Sequence, residues 1–442
     1  MHSPVGAIGL ECLMNRANIL FTSGYRFAGT LDLPTLEASF HAVAGAVEKF
    51  AYRLHFETQR QFAWKHAGAH HRHIQVIACA DLDQAFADLC RDSLSLIDHG
   101  RHCPMTLSVL RQTDGNEFII AQTSEHTYVD ARSAEFIFNR LVDHYNALMR
   151  GDAAAAAEVV ASVRRLRTAS GGEMIDILGL DDEQHGRNLQ ELAGYPVADD
   201  GGYAIPLGEV PDNLEAYRRQ RFAPIVRFFP LAPLLTRCRR RHPQVTQNAV
   251  ICAALAKGFY ELNRQHRQLP EKQTISFKML SDLLAPELRE QYGGNYIAFV
   301  PVSVDGELPV EEIALQIHER IRQFKTQKID ASLFRAVEDA VREGLVGTAD
   351  DALSFVVTNW NNYRFLGKAD FLHGCTSLRH QSGVNIDPRD TLGAVLVNRP
   401  ILVINLSTAD EVCLSLFPSL RAEAENLEVA ARIGEVFAAP AA

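Results

Sequence analysis

One stretch constrains this chain more than any other: an apolar strand pattern that runs into a histidine and restarts at once as a helix. Glu117-Phe118-Ile119-Ile120-Ala121-Gln122-Thr123 is rich in the apolar and β-branched residues of a buried strand. From Ser133 to Arg150, Ala134, Ile137, Phe138, Leu141, Val142, Tyr145 and Leu148 recur at the three-and-four spacing of one buried helical face. Between them lies Glu125-His126-Thr127-Tyr128-Val129-Asp130-Ala131. The pattern predicts a strand-to-helix turn carrying His126 and Asp130, a rigid place to hold a side chain over a cleft.

The chain has 442 residues, enough for two domains of ordinary size. A net charge of -10 argues against general nucleic-acid binding, which leaves a basic footprint. The start, Met1-His2-Ser3-Pro4, lacks the basic-then-apolar pattern of a signal peptide, and no apolar run has the length of a membrane span. The expectation is a soluble cytoplasmic protein. Its scattered cysteines (Cys12, Cys79, Cys90, Cys103, Cys238, Cys252, Cys375, Cys413) form no CxxC pair and read as buried free thiols.

Before the turn, Ile19–Phe21 and Tyr25–Phe27 are strand-like. Asp32 and Pro34 suit a helix start, Leu36, Phe40, Val43 and Val47 make one helical face, and Ala51–Phe56 alternates as a strand. His66, His70, His71 and His73 follow; Gly68 and the lack of nearby carboxylates favour a surface loop over a metal site. Asp81–Leu96 reads as an amphipathic helix. After Arg150, glycine-, alanine- and acid-rich sequence suggests a crossover between halves. The expected division is an N-terminal domain over 1–175, a crossover over 176–215 and a C-terminal domain over 216–442. In the second half, helices are predicted over Pro233–Arg241, from Thr246, over Glu311–Phe324 and over Arg421–Phe437. Strands are predicted over Ile275–Leu280, Ile297–Val302, Leu353–Thr358, Ala394–Val397, Ile401–Leu406 and Val412–Phe417, the last two as a hairpin. This alternation gives an α/β or α+β class with mixed sheets.

Imidazole titrates nearest neutral pH, so a histidine at a cleft is the usual general base for a hydroxyl or amine. An aspartate four residues on can fix the turn without touching substrate. Alone, HxxxD also describes a plain surface pair; its place between an apolar strand and a helix favours the cleft. GxSxG, GxxxxGK[ST], a GxGxxG after a first strand, CxxC and HExxH are all missing from the sequence. A histidine without a partnered nucleophile points to direct transfer, in which the second substrate itself attacks.

The turn resembles the HxxxD motif of the chloramphenicol-acetyltransferase-like superfamily, which includes BAHD acyltransferases and the condensation domains of peptide synthetases. Further landmarks follow in order. Leu280-Ser281-Asp282 with Tyr292-Gly293-Gly294-Asn295 resembles "vDxR…YxGN"; Thr358-Asn359-Trp360 resembles "TSW"; Asp370-Phe371-Leu372-His373-Gly374 resembles a degenerate DFGWG; and the helix from Thr246 to Tyr260 resembles "Tvndvl". The resemblance spans about 19–420. It implies two similar domains with mixed sheets, forming a V around a central channel with His126 near its middle. It implies an acyltransferase that makes an ester or amide from an acyl thioester and a small-molecule hydroxyl or amine acceptor, in specialised metabolism. His126 would be the general base and Asp130 structural. Thr358 and Trp360 would be oxyanion donors, although Trp360 also fits a core aromatic. Asn295 would order its turn, and Asp370 and Gly374 would be structural.

The sequence departs from the pattern. Glu125 stands where condensation domains carry a first histidine, Ala131 replaces the glycine after the aspartate, and Leu283 or Leu284 replaces the arginine expected after Asp282. Asp130 therefore lacks its usual partner or borrows Arg132 or another arginine. These changes leave two alternatives: redirected chemistry such as cyclisation, or a non-catalytic module that docks a carrier protein. No bound cofactor or metal is expected; acyl-coenzyme A or a phosphopantetheine-linked acyl group would be a co-substrate. Arg218, Arg219 and Arg221, and Arg239, Arg240 and Arg241, form a basic patch that would suit coenzyme A phosphates or an acidic carrier protein, the alternative being a solvated helix face.

Overall fold

A computed structural model describes residues 7–58, 61–68, 74–97, 103–195, 205–220, 223–267, 273–344, 353–389, 391–395, 398–417 and 420–439. Strands β1 (Ile19–Gly29), β4 (Gln75–Cys79), β5 (Met105–Gln112), β6 (Glu117–Glu125) and β11 (Cys375–Ile386) form one sheet in the order β11-β1-β6-β5-β4. Strands β7 (Ile225–Pro230), β8 (Thr274–Asp282), β9 (Ile297–Asp305), β10 (Phe355–Asn359), β12 (Ile401–Leu406) and β13 (Glu411–Phe417) form a second, in the order β7-β13-β12-β10-β8-β9. A two-stranded ribbon pairs β2 (Tyr52–Phe56) with β3 (Phe62–His66). Both large sheets are mixed: β4–β5, β10–β12 and β10–β8 run parallel and their other pairings antiparallel.

The two segments read as strand-like at the start of the chain are one continuous strand, β1, central to the first sheet. Its neighbour β11 comes from the second half of the sequence, with Ile19 opposite Ile386. β11 is rich in polar residues, and some of those it buries are matched by hydrogen bonds, while among the described residues His380 Nε2 and Gln381 Oε1 are left without one. Ser382 Oγ donates to Asn405 Oδ1 (2.7 Å), and Asn385 donates to the carbonyls of Cys90 and Arg91. His380 stacks on Tyr25 at 4.7 Å, and burial pushes its pKa down to about 3, so it sits in the core as a neutral ring. Gly383 is required there, because a Cβ would lie 2.5 Å from Cys90 Sγ.

The Ala131–Met149 helix covers the first sheet with Ala134, Ile137, Phe138, Leu141, Val142 and Tyr145, all buried. Leu148 is only half-buried. The Leu33–Ala44 helix is capped by Asp32, which accepts from Thr35 N–H (2.8 Å). In the second half, the Gln247–Arg267 helix packs Val250, Ala253, Ala256 and Phe259 into a core with Phe277 and Phe355. Burying each such phenylalanine contributes about 1.5–3 kcal/mol. All eight cysteines are free thiols, seven buried and Cys79 partly so. No helix among the described residues is long and apolar enough to cross a membrane.

Two expectations are corrected. Ala394–Val397 is not a strand: Thr391–Val395 is a short helix, and residues 396–397 lie outside the described residues. A short apolar run fits either state, and here Gly393 packs directly on the Arg16 backbone, leaving no room for a Cβ. His66 ends β3 against the Tyr52 ring rather than lying in a loop; His70, His71 and His73 lie outside the described residues.

The Gly9–Ala17 helix and the Ile329–Glu343 helix, neither of which the pattern predicted, pack together, and Gly9 N–H donates to the buried carboxylate of Glu338. Burial raises the Glu338 pKa to about 7 from 4.5, against the opposing pull of that N–H and of Arg342. A carboxyl whose folded-state pKa is raised contributes most below pH 4.5, and the contribution is lost as pH rises through 7. Wild-type stability, followed by urea denaturation at pH 5 and pH 8, should therefore fall relative to a Glu338→Gln variant, by up to about 3 kcal/mol. Parallel behaviour of the two proteins would contradict this.

Candidate active site

His126 follows the last residue of β6, where its backbone N–H donates to Ile19 O of β1 (2.9 Å). The ring meets the Phe21 ring edge-on at 5.2 Å and remains partly accessible to a cavity. Its Nδ1 lies 3.0 Å from Asn295 Oδ1. Burial lowers its pKa from 6.5, while contacts with its own backbone carbonyl and with Asn295 oppose the shift. The free imidazole is the favoured form near neutral pH.

Asp130 is buried and never reaches the imidazole. As N-cap of the Ala131–Met149 helix it accepts from Ser133 N–H (2.7 Å), and it accepts from Tyr296 N–H (3.1 Å). Its own N–H donates to Gly294 O (2.9 Å). Ser133 Oγ lies 3.1 Å from both Gly294 N and Gly294 O. Position 294 must be glycine, since a Cβ would meet the Tyr296 ring at 2.9–3.0 Å. Burial raises the Asp130 pKa, and the two N–H bonds oppose that rise. Arg132 makes no hydrogen bond to it, since that guanidinium binds Glu135 (2.7 Å) and Asn361 O (2.8 Å), but its charge helps to oppose the rise in the Asp130 pKa.

Opposite the histidine, Val356, Thr358 and Trp360 alternate onto the cavity from β10 and its end. Trp360 is held by its backbone N–H to Ile404 O (3.0 Å) and meets Phe21 edge-on at 5.3 Å. Among the described residues, Thr358 Oγ1 and Trp360 Nε1 have no hydrogen-bond partner. Trp360 is thus a buried core aromatic whose N–H stays unused. Asn359 points to Asn248 of the Gln247–Arg267 helix (2.7 Å) and accepts from Asn361 (3.3 Å).

The cavity is about 140 Å³ and has two unlike sides. Toward β1, β11 and β12 it is lined by Ile19, Val384, Ile386, Ile401 and Val403. Toward β8 and β9 it carries Asp282, Arg289 and Arg132 beside Leu280 and Phe299. Asp282 and Arg289 are paired at 2.5 Å; burial raises the Asp282 pKa, the nearby Asp130 adds to the rise, and Arg289 opposes it.

The sequence matches no protein-family model and no curated protein. Solved structures with the same architecture do match. The first condensation domain of the CDA synthetase superposes with a TM-score of 0.68 at 14% identity, over 99% of this chain and 96% of that one. The starter condensation domain of rhizomide synthetase, in complex with C8-CoA and Leu-SNAC, gives 0.65 at 10% identity, over 98% and 93%. Polyketide synthase associated protein 5 from Mycobacterium tuberculosis gives 0.62 at 13% identity, over 98% and 99%. The chain has the condensation-domain fold. It is the fold of the chloramphenicol-acetyltransferase-like superfamily, two-lobed with mixed sheets, that the ordered landmarks imply.

Placed on the condensation-domain fold, His126, Asp130, Thr358 and Trp360 all come to one cavity. The basic clusters do not: Arg239, Arg240 and Arg241 are exposed on the Ala232–Arg241 helix and do not line it, and Arg241 pairs with Glu312. Arg218 binds Asp387 and Arg219 lies near Glu215, while Arg221 is outside the described residues. The cavity's arginines are instead Arg132 and Arg289. Arg289 lies seven residues beyond Asp282, too far for a motif reading that looks only at the next two positions. Leu283 and Leu284 are buried in a core cluster. Glu125 is buried 3.8 Å from Arg389. Asp370 and Gly374 are exposed beside the buried Phe371 and Leu372, away from the cavity. No cluster of three or more metal-ligating side chains occurs among the described residues.

Asp130→Ala removes a helix cap and a charge-assisted bond to Tyr296 N–H. We expect urea denaturation to show a loss of about 2–4 kcal/mol. An unchanged midpoint would mean that these bonds do not hold the turn.

Proposed function

We propose that this protein is an acyltransferase that forms an ester or amide from an acyl thioester and a hydroxyl or amine acceptor, with His126 as general base. The observation that carries this reading is the meeting, in one cavity, of a partly accessible imidazole with a lowered pKa and two hydrogen-bond donors left without protein partners, Thr358 and Trp360. The condensation-domain fold adds support, since a domain of that fold has been solved with C8-CoA and Leu-SNAC, both thioesters.

The steps follow from these positions. His126 takes the proton from the acceptor as its oxygen or nitrogen bonds to the thioester carbonyl carbon. The carbonyl oxygen becomes an oxyanion, to which Thr358 O–H and Trp360 N–H donate. Collapse of the tetrahedral intermediate breaks the C–S bond, and the leaving thiolate takes the proton from the imidazolium. The acyl group never bonds to the protein. Asp130 is a positioning residue that holds the turn. The donor is a thioester of coenzyme A or of a phosphopantetheine on a carrier protein, and product analysis over a panel of both distinguishes them.

The test is release of free thiol, with mass spectrometry of products, on incubating acyl thioesters with candidate acceptors. Release should need acceptor and fall about 100- to 10,000-fold in His126→Ala. With the His126 pKa lowered, the acidic limb of kcat/KM should lie below pH 6.5. Full activity in the variant, or a limb above 6.5, would remove His126 from the role.

Removing either oxyanion donor should act on kcat with little change in KM. Thr358→Val nearly keeps shape and removes the O–H, and should lower kcat by about 10- to 1,000-fold while leaving the denaturation midpoint nearly unchanged. Trp360→Phe removes the N–H together with part of a buried ring, so its similar loss of kcat should come with a lowered midpoint. A loss confined to stability would assign both side chains to packing alone.

A further inference from the structure

Asn295 is buried, and its carboxamide has only one orientation that satisfies its neighbours. Nδ2 donates to His126 O (2.5 Å) and to Thr127 O (3.1 Å), both of which are acceptors and nothing else. The amide cannot be flipped without setting its oxygen against two carbonyl oxygens. Oδ1 is therefore the atom 3.0 Å from His126 Nδ1. An amide oxygen can only accept, so Nδ1 must bear the proton, and the lone pair of the neutral ring falls on Nε2.

We infer that Asn295 is a positioning residue that selects the Nδ1–H tautomer of His126 and thereby directs the basic nitrogen, Nε2, away from the turn. Asp130 acts one step further back. By binding Tyr296 N–H and Gly294 O it holds the two residues flanking Asn295, so its effect on the base passes through the amide. Pairing within the motif would instead route it through a direct contact of Asp130 with the ring, and none is present among the described residues. Among the described residues no charged side chain hydrogen-bonds the ring; Asp130, Asp282, Arg132 and Arg289 line the same cavity and Glu125 precedes it in the chain. The consequence for turnover rests on the general-base reading above, whereas the tautomer does not.

The test is a long-range proton–nitrogen correlation spectrum of protein labelled with 15N-histidine, with His126 assigned by its loss in His126→Gln. Above its pKa the ring should show a protonated Nδ1 and a bare Nε2. A protonated Nε2, or averaged nitrogens, would overturn the inference. In Asn295→Ala the preference should give way to averaged nitrogens. Retention of the Nδ1–H signal would show that the histidine's own carbonyl sets the tautomer and would also overturn it. Should that variant fail to fold, a correlation through the hydrogen bond between His126 Nδ1 and the Asn295 carboxamide carbon, sought in 13C,15N-labelled wild-type protein, decides: its presence supports the contact and its absence counts against it. The measurement needs no turnover, so an inert protein with the expected tautomer would sink the acyltransferase reading and leave this one standing.

Discussion

The site depends on one buried carboxylate that binds backbone rather than a cation. Asp130 accepts from Ser133 and Tyr296 N–H while its own N–H binds Gly294 O, so segments more than 160 residues apart are joined as if by a short sheet. Charge-assisted bonds to N–H groups contribute about 1.5–3 kcal/mol each, enough to offset much of the desolvation that raises the Asp130 pKa. An ion pair would supply charge, but a long side chain holds a backbone loosely. Backbone donors fix both partners, and here the fixed partner is the turn that presents Asn295. With Asp130 satisfied in this way, Arg289 is left to Asp282 on the cavity wall.

His126 and Trp360 come from different sheets, and Phe21 of β1 touches both, edge-on to each. The separation of the imidazole and the indole therefore depends on packing around one phenyl ring. β1 can do this because it is flanked by β6, which delivers His126, and by β11, which the second half contributes. The core beneath it draws Phe138 and Tyr145 from the first half and Trp360, Val403 and Phe417 from the second. The cavity exists only where both halves are folded against each other, so lesions far from His126 in sequence, in β11 for instance, reach the site through packing.

Local physics made the turn legible. A strand pattern, an aspartate that can fix the turn and an amphipathic helix are all encoded within residues 117–150; the strand and helix formed as read, and Asp130 fixes the turn as the helix N-cap, a role the sequence reading did not name. The ordered landmarks at 280–295 and 358–360 likewise lie at the cavity. What was hidden depends on distant partners. β11 has little strand-like hydrophobicity, because many of its buried positions are polar, among them Ser382, Asn385 and His380, met by Asn405, the Cys90 carbonyl and the Tyr25 ring. Arg289 is one basic residue among many until Asp282 is beside it. The arginine runs, which stand out in sequence, lie on exposed helix faces because a run of charges most easily stays in water. Ala394–Val397 failed for the opposite reason: four apolar residues carry no period, and packing on Arg16 chose a helix.

For the proposed reaction, the polarity of the cavity bears on how the two substrates would lie. Ile19, Val384, Ile386, Ile401 and Val403 offer nothing to a hydrogen-bonding group, so a polar acceptor lodged there would lose its water without replacement, at a cost of about 1–3 kcal/mol for each unpaired group. An alkyl chain in the same place gains about 0.8 kcal/mol for each methylene buried. On the other side, Asp282 and Arg289 offer acceptor and donor atoms but nearly cancel in charge. Under that reading the acyl chain is favoured toward β11 and β12 and the acceptor toward Asp282 and Arg289.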